Sequence, residues 1–484
     1  MVTGPSSGSA SEAQSGDAAA RIGKDRPKTG ITTWQILGAF SLLSSATFTA
    51  TAFSVVSTKI IALVAGTEGM AIMGLYRNLG GWIAGTLTLG YDTIFFQRIS
   101  AARTREQTGK IISAAFCLLV LQFLVISFVA VAFAGPLTNW LFGPTNTPGQ
   151  VRDVRIVLLM AFFNLLFLIL MTLIKGQTNF KIVVVVQIAQ AAASLLLVYP
   201  LLKLGNQGFA LYIGAGSLVS SVLGLFFLWK IYRPSLDESS LRQGWRVLRE
   251  GTSSSLLLSV QIMARLGCLL AVQTMVARHY GMSALGNYSA ALLLIDTCTT
   301  ALGMATRNYL LPTMGLADAQ AEKVKVFSRM LSIFLIALTT AGALFICAAP
   351  YVIRLFFSSR FTPAIDLLAI LSLAFPGIAF AGSCATFLLH KNNMRLYCAL
   401  DIIGAAVLLA GVFLSIYAGF SLVAIAWAYA FSWLFCGILF TSILVWKHGK
   451  VLLSPINSYL GVLSVMILVT AYEISRVRFS ILLP

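Results

Sequence analysis

Charged side chains inside long apolar stretches are the residues of this 484-residue chain that could do chemistry. Arg77 and Arg265 each lie deep in such a stretch, where a central arginine costs at least about 2.5 kcal/mol on membrane-insertion scales. We therefore expect each of them to face a wet cavity or a partner of opposite charge. Lys59 and Arg307 lie nearer the ends of their stretches, where long side chains reach lipid headgroups. These four residues are the candidate binding cations.

Two acidic residues accompany these cations. Asp296 lies eleven residues before Arg307 on nearly the same helix face, and it is expected either to balance a cavity arginine or to bind a coupling cation. Asp92 is a second candidate for charge balance, whereas Asp366 and Asp401 are expected near the membrane interfaces. Arginine binds phosphate oxygens bidentately. The excess of cations therefore predicts an anionic ligand such as phosphate or pyrophosphate.

Motifs for enzymatic chemistry do not appear in a suitable context. The chain has no nucleophile elbow, P-loop or paired acid and base, so no catalytic residues are expected. The seven cysteines are scattered through apolar runs without a CxxC pair, and the three histidines lie near predicted helix ends. We expect no disulfide framework, no metal site and no cofactor.

The composition places these charges in a membrane. Hydrophobic residues make up 58% of the chain and charged residues only 10%, against about a quarter charged in soluble domains. Nucleic-acid binding is not expected despite the net charge of +18, because a basic patch needs a soluble face. The predicted spans are 34–64, 69–97, 111–134, 152–174, 182–202, 207–230, 250–277, 283–311, 326–349, 363–389, 394–417 and 421–446. A short thirteenth candidate lies at 454–472.

Lysine and arginine alternate between the connecting loops. Twenty-two of the 34 fall in the N-terminal tail and the even-numbered loops, and six fall in the odd-numbered loops. Arg476 and Arg478 raise the second number to eight if the thirteenth segment crosses the membrane. Cytoplasmic loops retain the excess of positive charge during insertion. This alternation predicts a multi-pass protein whose N-terminus is cytoplasmic.

The spans group into two halves. The predicted organisation is a disordered cytoplasmic tail at 1–33, a six-helix bundle at 34–230, a cytoplasmic linker at 231–249, a second six-helix bundle at 250–446 and an extra hydrophobic segment at 447–484. The linker is interpreted either as an amphipathic segment, with Trp245 in the interface and Arg246 facing headgroups, or as a plain solvated connection.

An internal repeat relates the halves. VAGTEGMAIMGLY (64–76) and VARHYGMSALGNY (276–288) share six of thirteen residues at a shift of 212. Six spans separate the copies, so both halves insert in the same orientation, related by an axis along the membrane normal. The predicted fold class is therefore an all-α polytopic membrane protein of two six-helix bundles. Parallel repeats of this kind bind a substrate between two rocking bundles.

Four segments carry a family resemblance. They are TKIIALVAGTEGMAIMGLYRNL (58–79), LIKGQTNF (173–180), NYLLPTMG (308–315) and SSRFTPAIDLLAILSLAFPG (358–377). In this order, within residues 34–446, they resemble the Wzx flippases of the multidrug/oligosaccharidyl-lipid/polysaccharide (MOP) exporter superfamily. Wzx flippases move O-antigen or enterobacterial common antigen units linked to undecaprenyl pyrophosphate.

The resemblance implies a V-shaped pair of bundles in the bacterial inner membrane, with a cationic cavity formed by helices one, two, seven and eight. It implies alternating access driven by a proton or sodium gradient or by membrane potential. Lys59, Arg77 and Asp296 match charges that the family tends to have, whereas Arg265 and Arg307 do not map so clearly. The implied partners are undecaprenyl-pyrophosphate oligosaccharide, membrane lipids, and polysaccharide polymerase or chain-length proteins.

Three other functions remain open at this point. A multidrug or organic-cation antiporter of the same superfamily would have a mostly acidic cavity, and a lipid II-type flippase would carry a related lipid. A membrane-embedded glycosyltransferase or polymerase would need a large extramembrane loop, and the longest loop here has only about 20 residues.

Overall fold

The computed structural model describes most of the chain from residue 33 to residue 472. The gaps are 103, 145–146, 177–179, 233–237, 317–319, 391–392, 449–460, 462–463, 466 and 470. Residues up to Ser41 form one unit and Leu42–Pro484 another, and every contact discussed below lies within the second unit. The predicted tail at 1–33, apart from Thr33, and most of the segment at 447–484 lie outside the described residues.

All regular structure in the described part of the chain is helical. The fourteen helices are α1 (Thr33–Leu87), α2 (Tyr91–Ala101), α3 (Arg105–Ala132), α4 (Ala134–Phe142), α5 (Pro148–Gly176), α6 (Phe180–Leu202), α7 (Asn206–Tyr232), α8 (Glu238–Tyr280), α9 (Met282–Leu316), α10 (Gln320–Phe356), α11 (Ala364–Ser372), α12 (Phe375–His390), α13 (Met394–Tyr417) and α14 (Leu422–His448). A 3-10 turn, Ser359–Phe361, precedes α11.

The helices have the length and composition of membrane spans. Nine are long and apolar enough to cross a bilayer, or ten when α11 and α12 form one span bent by 46°, counting described residues only. Large apolar side chains such as Phe128 and Leu196 are exposed, as expected where lipid is the solvent. In a helix the backbone N–H and C=O groups form hydrogen bonds with each other, which is required in a bilayer core because no water is available there. The predicted fold class, an all-α polytopic membrane protein, is confirmed.

Two breaks divide the first long apolar region. Gly66 interrupts α1 with φ 65° and ψ −159°, so α1 contains both the first predicted span and most of the second. After Leu87, left-handed Leu89 and Gly90 end the helix and α2 begins a new one. The span predicted at 69–97 is therefore broken. A Cβ on Gly90 would lie 2.9 Å from the Cβ of Leu258, so glycine also permits close packing against α8.

The segment predicted as a linker is largely part of a helix. Helix α8 starts at Glu238 and continues without interruption into the seventh predicted span. Trp245 is exposed, whereas Leu248 is buried and its carbonyl oxygen accepts a 2.7 Å hydrogen bond from the hydroxyl of Tyr91. This segment therefore has one exposed and one buried side. The start of α8 therefore packs on the first half.

The two copies of the repeat touch each other where their helices turn. We call this end of the molecule, formed by the turns at Gly66 and Gly281, the hairpin end. The hydroxyls of Thr67 and Ser283 lie 3.1 Å apart there. A Cβ on Gly286 would overlap the main chain of Thr67, and a Cβ on Gly74 would lie 2.8 Å from the Ser289 hydroxyl. Gly74 and Gly286 are equivalent in the 212-residue repeat, and both permit close contact between the halves.

The apolar cores differ at the two ends. At the hairpin end one core contains side chains from both halves, including Leu75, Leu141, Val154, Val276, Leu285 and Ile425. At the opposite end the described side chains form two separate cores. One belongs to the first half and the start of α8, and includes Phe95, Ile112, Ile174 and Leu248. The other belongs to the second half, and includes Phe327, Leu331, Phe387 and Phe440. Among the described residues, the core that contains side chains from both six-helix bundles therefore lies at the hairpin end.

Candidate functional site

Asp296 lies between arginines from both halves. Its carboxylate interacts electrostatically with Arg77 of α1 and with Arg265 of α8. Asp296 is half-buried near the middle of α9. The structure thus brings together three of the residues predicted from the sequence, on three different helices.

Arg77 lies deep along α1. It follows the Gly66 break by eleven residues, which is roughly 16 Å at 1.5 Å per residue. Its side chain is half-buried and lines a cavity of about 180 Å³ between helices of the first half and α9 of the second. One helical turn further on, the indole Nε1 of Trp82 donates a 3.1 Å hydrogen bond to the carbonyl oxygen of Met263, which fixes this part of α1 against α8.

Arg265 is exposed although it lies midway through the seventh predicted span. Its electrostatic partners are Asp296 of α9, Asp401 and Tyr397 of α13, and Tyr429 of α14. Because these partners come from several surrounding helices, the guanidinium faces the interior of the protein. Its exposure therefore reflects open space between helices.

Asp401 was not assigned to the site from the sequence, which placed it near a membrane interface. In the structure it interacts with Arg265, and it accepts a hydrogen bond from Nε2 of Gln261. Gln261 and Arg265 are four residues apart, so they share one face of α8. Two polar residues four positions apart in an apolar helix are the feature of the sequence that could have indicated a buried polar partner.

Of the other predicted residues, Lys59 and Asp92 lie elsewhere on the described helices. Ser54, Thr58 and Ile61 face the cavity, and Lys59 lies about 100° around the helix from Thr58 at 3.6 residues per turn. Asp92 lies in the first turn of α2, beyond the break that ends α1. Arg307 belongs to α9, and its side chain lies outside the described residues.

The described cluster is formally neutral. Arg77 and Arg265 supply two positive charges, and Asp296 and Asp401 supply two negative charges. The predicted excess of cations would therefore depend on residues outside this cluster. Asp296 is the acid that interacts with both arginines, so its charge determines how strongly the pair attracts an anion.

The cavity beside Arg77 has a polar network along one wall. Nε2 of Gln190 donates a 2.9 Å hydrogen bond to the Ser217 hydroxyl, which donates a 2.5 Å hydrogen bond to Oδ1 of Asn164. Nδ2 of Asn164 donates in turn to the Ile213 carbonyl oxygen at 3.1 Å. These side chains belong to α5, α6 and α7, so the network connects three helices of the first half inside the membrane region.

Helix α9 connects the cavity with the charged cluster. Ser289 and Leu293 of this helix line the cavity. Asp296 follows three residues after Leu293 and seven after Ser289, which places all three on one helix face. The cavity and the cluster are therefore neighbouring parts of one polar region.

Solved structures of MOP transporters share this fold. A MATE multidrug transporter, DinF-BH, has a TM-score of 0.67 at 17% identity, over 88% of this chain and 98% of its own. The lipid II flippase MurJ in an inward closed conformation has a TM-score of 0.63 at 13% identity, over 90% and 98%. A MOP superfamily transporter from Pyrococcus furiosus, described as having a binding pocket of reverse polarity, has a TM-score of 0.62 at 14% identity, over 85% and 96%.

Sequence comparison gives the family. No curated protein matches the chain significantly. Residues 87–366 match the family model described as polysaccharide biosynthesis protein, which confirms the resemblance to polysaccharide exporters at the level of the family. Because the match covers more than half of its 484 residues, this membrane protein, which has the fold of MOP transporters, belongs to the polysaccharide biosynthesis protein family.

Proposed function

We propose that this protein is a flippase for undecaprenyl-pyrophosphate-linked oligosaccharide repeat units. It moves them across the inner membrane by alternating access, for the synthesis of a surface polysaccharide such as O-antigen, exopolysaccharide or capsule. The observation that carries the proposal is the position of Arg77 and Arg265, which come from different halves and interact with the same carboxylate. A polysaccharide biosynthesis family and a transporter fold support the same function.

The two arginines suit a diphosphate. A guanidinium presents paired N–H donors that match phosphate oxygens, and a diphosphate carries oxygens for two such groups. Without a polar site, moving this headgroup through the bilayer would require an ion to be buried in hydrocarbon. The polyprenyl tail stays in lipid, and no covalent bond is made or broken.

The arrangement of the apolar cores supports entry of the substrate from the cytoplasmic side. The loop charges predict that the hairpin end lies outside and the opposite end in the cytoplasm. The halves share a core at the hairpin end, whereas two separate cores lie at the cytoplasmic end. In this conformation the substrate enters from the cytoplasmic leaflet, and release outside requires the hairpin contacts to open.

Translocation in a purified system tests the proposal directly. Liposomes containing the full-length protein and a lipid-linked oligosaccharide are treated with an enzyme that cleaves the glycan only from outside. We expect the protein to bring a protected inner pool to the outer leaflet, and protein-free liposomes to keep it protected. An inner pool that stays protected with active, correctly folded protein would overturn the proposal. New glycosidic bonds would instead indicate a polymerase or transferase.

Replacing Asp296 distinguishes a flippase from a cation antiporter. Because Asp296 balances two arginines, we expect Asp296→Asn to bind undecaprenyl diphosphate about 10-fold more tightly, equivalent to about 1.4 kcal/mol. Direct binding to protein in nanodiscs measures this change. In a cation antiporter, the same substitution would abolish efflux of an organic cation and would not improve binding of a diphosphate lipid.

The orientation of the protein in the membrane is tested by reporter fusions. Tags placed at Arg242 and Arg354 are separated by three predicted spans, so we expect opposite sidedness, with Arg242 in the cytoplasm. Accessibility of each tag in intact cells is the measurement. Two tags on the cytoplasmic side would contradict the predicted topology.

A further inference from the structure

The cavity between the first half and α9 has the size of one sugar ring. Its volume is about 180 Å³, and a protein cavity of about 150 Å³ holds one benzene ring. A single six-membered ring therefore fits, whereas a whole oligosaccharide does not. Apolar side chains such as Met73 and Leu293 supply part of the wall, which suits the apolar faces of a pyranose.

The polar part of the lining is made of groups that both donate and accept hydrogen bonds. It includes the amides of Asn164 and Gln190 and the hydroxyls of Ser194, Tyr212 and Ser289. Amides and hydroxyls have this double capacity, and the hydroxyl groups of a sugar have it too. A bound anion would need donors only, so the carbonyl oxygens of the amides favour a neutral, hydroxyl-rich ligand.

One buried polar side chain in the cavity wall, and a second one near it, have no hydrogen-bond partner among the described residues. Ser289 lines the cavity and is only 2% exposed, and its hydroxyl is unpaired. Gln273 is 1% exposed with both amide atoms unpaired, and its Nε2 lies 3.9 Å from the position of a Cβ on Gly74, which also lines the cavity. An unsatisfied polar group in a membrane interior is costly. A ligand hydroxyl in the cavity would give the Ser289 hydroxyl a partner once that side chain turns toward the ligand.

The described wall of this cavity offers no carboxylate to a cation. Arg77 is the charged residue among the described side chains that form the wall. Arg77 also interacts with Asp296 in the neighbouring cluster. It therefore lies at the boundary between a neutral polar cavity and a site suited to a diphosphate.

We propose that the cavity binds the sugar directly attached to the diphosphate while Arg77 binds the diphosphate itself. In a polyprenyl-diphosphate sugar the anomeric carbon is bonded to a phosphate oxygen, so ring and charge are adjacent. The cavity and the cluster are adjacent in the same way, through Ser289 and Asp296 on one face of α9. This assignment rests on the proposed function, because it names a second contact for the same substrate.

Binding of two lipids to the full-length protein in nanodiscs tests the proposal. The probes are undecaprenyl diphosphate and undecaprenyl diphosphate carrying one uncharged hexose. We expect the wild-type protein to bind the glycosylated lipid about 10-fold more tightly. Ser289→Ala removes an unpaired hydroxyl without breaking an internal hydrogen bond, and we expect it to weaken binding of the glycosylated lipid by about 3- to 10-fold. Binding of the bare lipid should not change.

A second variant and a control keep the test decisive. Gln190→Leu has nearly the same volume and should also reduce the preference for the sugar. Ser372→Ala alters a buried serine of α11 whose hydroxyl donates a hydrogen bond to the Leu368 carbonyl oxygen in the same helix, and it should leave both affinities unchanged. Equal wild-type affinity for the two lipids would overturn the sugar site while leaving the flippase proposal intact. Failure to bind either lipid would overturn both.

Discussion

Arg77→Ala should abolish export of surface polysaccharide while the protein remains in the membrane. Arg77 is the residue that faces both the cavity and the charged cluster. Losing hydrogen bonds from a charged donor costs about 1.5–3 kcal/mol, so binding of undecaprenyl diphosphate should weaken by about 10- to 100-fold. The measurements are surface polysaccharide in cells and lipid binding in nanodiscs.

The control for this substitution is Arg155→Ala, which removes an exposed arginine from α5. It changes the net charge equally but lies outside the cavity and the cluster, so export should continue. Membrane fractions from both strains establish that the proteins are present in equal amounts. Wild-type export with Arg77→Ala would refute a role for this arginine in substrate binding.

Gly286→Ala should also stop transport, because it disturbs the contact between the halves and not the binding of substrate. The added Cβ would overlap the main chain of Thr67, and backbone cannot move aside as a side chain can. The halves must then separate at the hairpin end. Overpacking of this kind costs about 1–3 kcal/mol, so we expect a lower melting temperature together with loss of translocation in liposomes.

The control for Gly286→Ala is Gly303→Ala in the same helix, α9. A Cβ at this position meets no described atom within 4 Å, so Gly303→Ala adds the same methyl group without a clash. Its melting temperature should equal or slightly exceed that of the wild type, because alanine has the higher helix propensity. If both variants behaved alike, the hairpin contact would not limit the transport cycle.

The fold was largely predictable because a bilayer restricts the choice of structure. Spans of about 20 apolar residues can be recognised in a sequence. Each of the first twelve predicted spans lies on described helices. The breaks were not predictable from hydropathy. Leu89 is left-handed and ends α1 inside an apolar run, so its effect depends on the packing of neighbouring helices and not on local composition.

The site was predictable only in part. An isolated charge in an apolar helix indicates that some partner exists, which identified Arg77, Arg265 and Asp296. The sequence does not reveal which helices pack together, and the contact of Gln261 and Arg265 with Asp401 depends on α8 lying beside α13. The uncharged residues that line the cavity could not be recognised from the sequence, since serine, asparagine and glutamine are common in such helices.

The shared core at the hairpin end has a consequence for the energy supply of the cell. In the proposed transport cycle, opening this end without substrate would disrupt the core that contains Leu75 and Leu285, which are fully buried. Full exposure costs roughly 1.5–3 kcal/mol for each such side chain, so an empty protein that works by this cycle rarely opens outward. Opening without a lipid, and any ion leak that would accompany it, is thereby suppressed, which conserves the membrane potential.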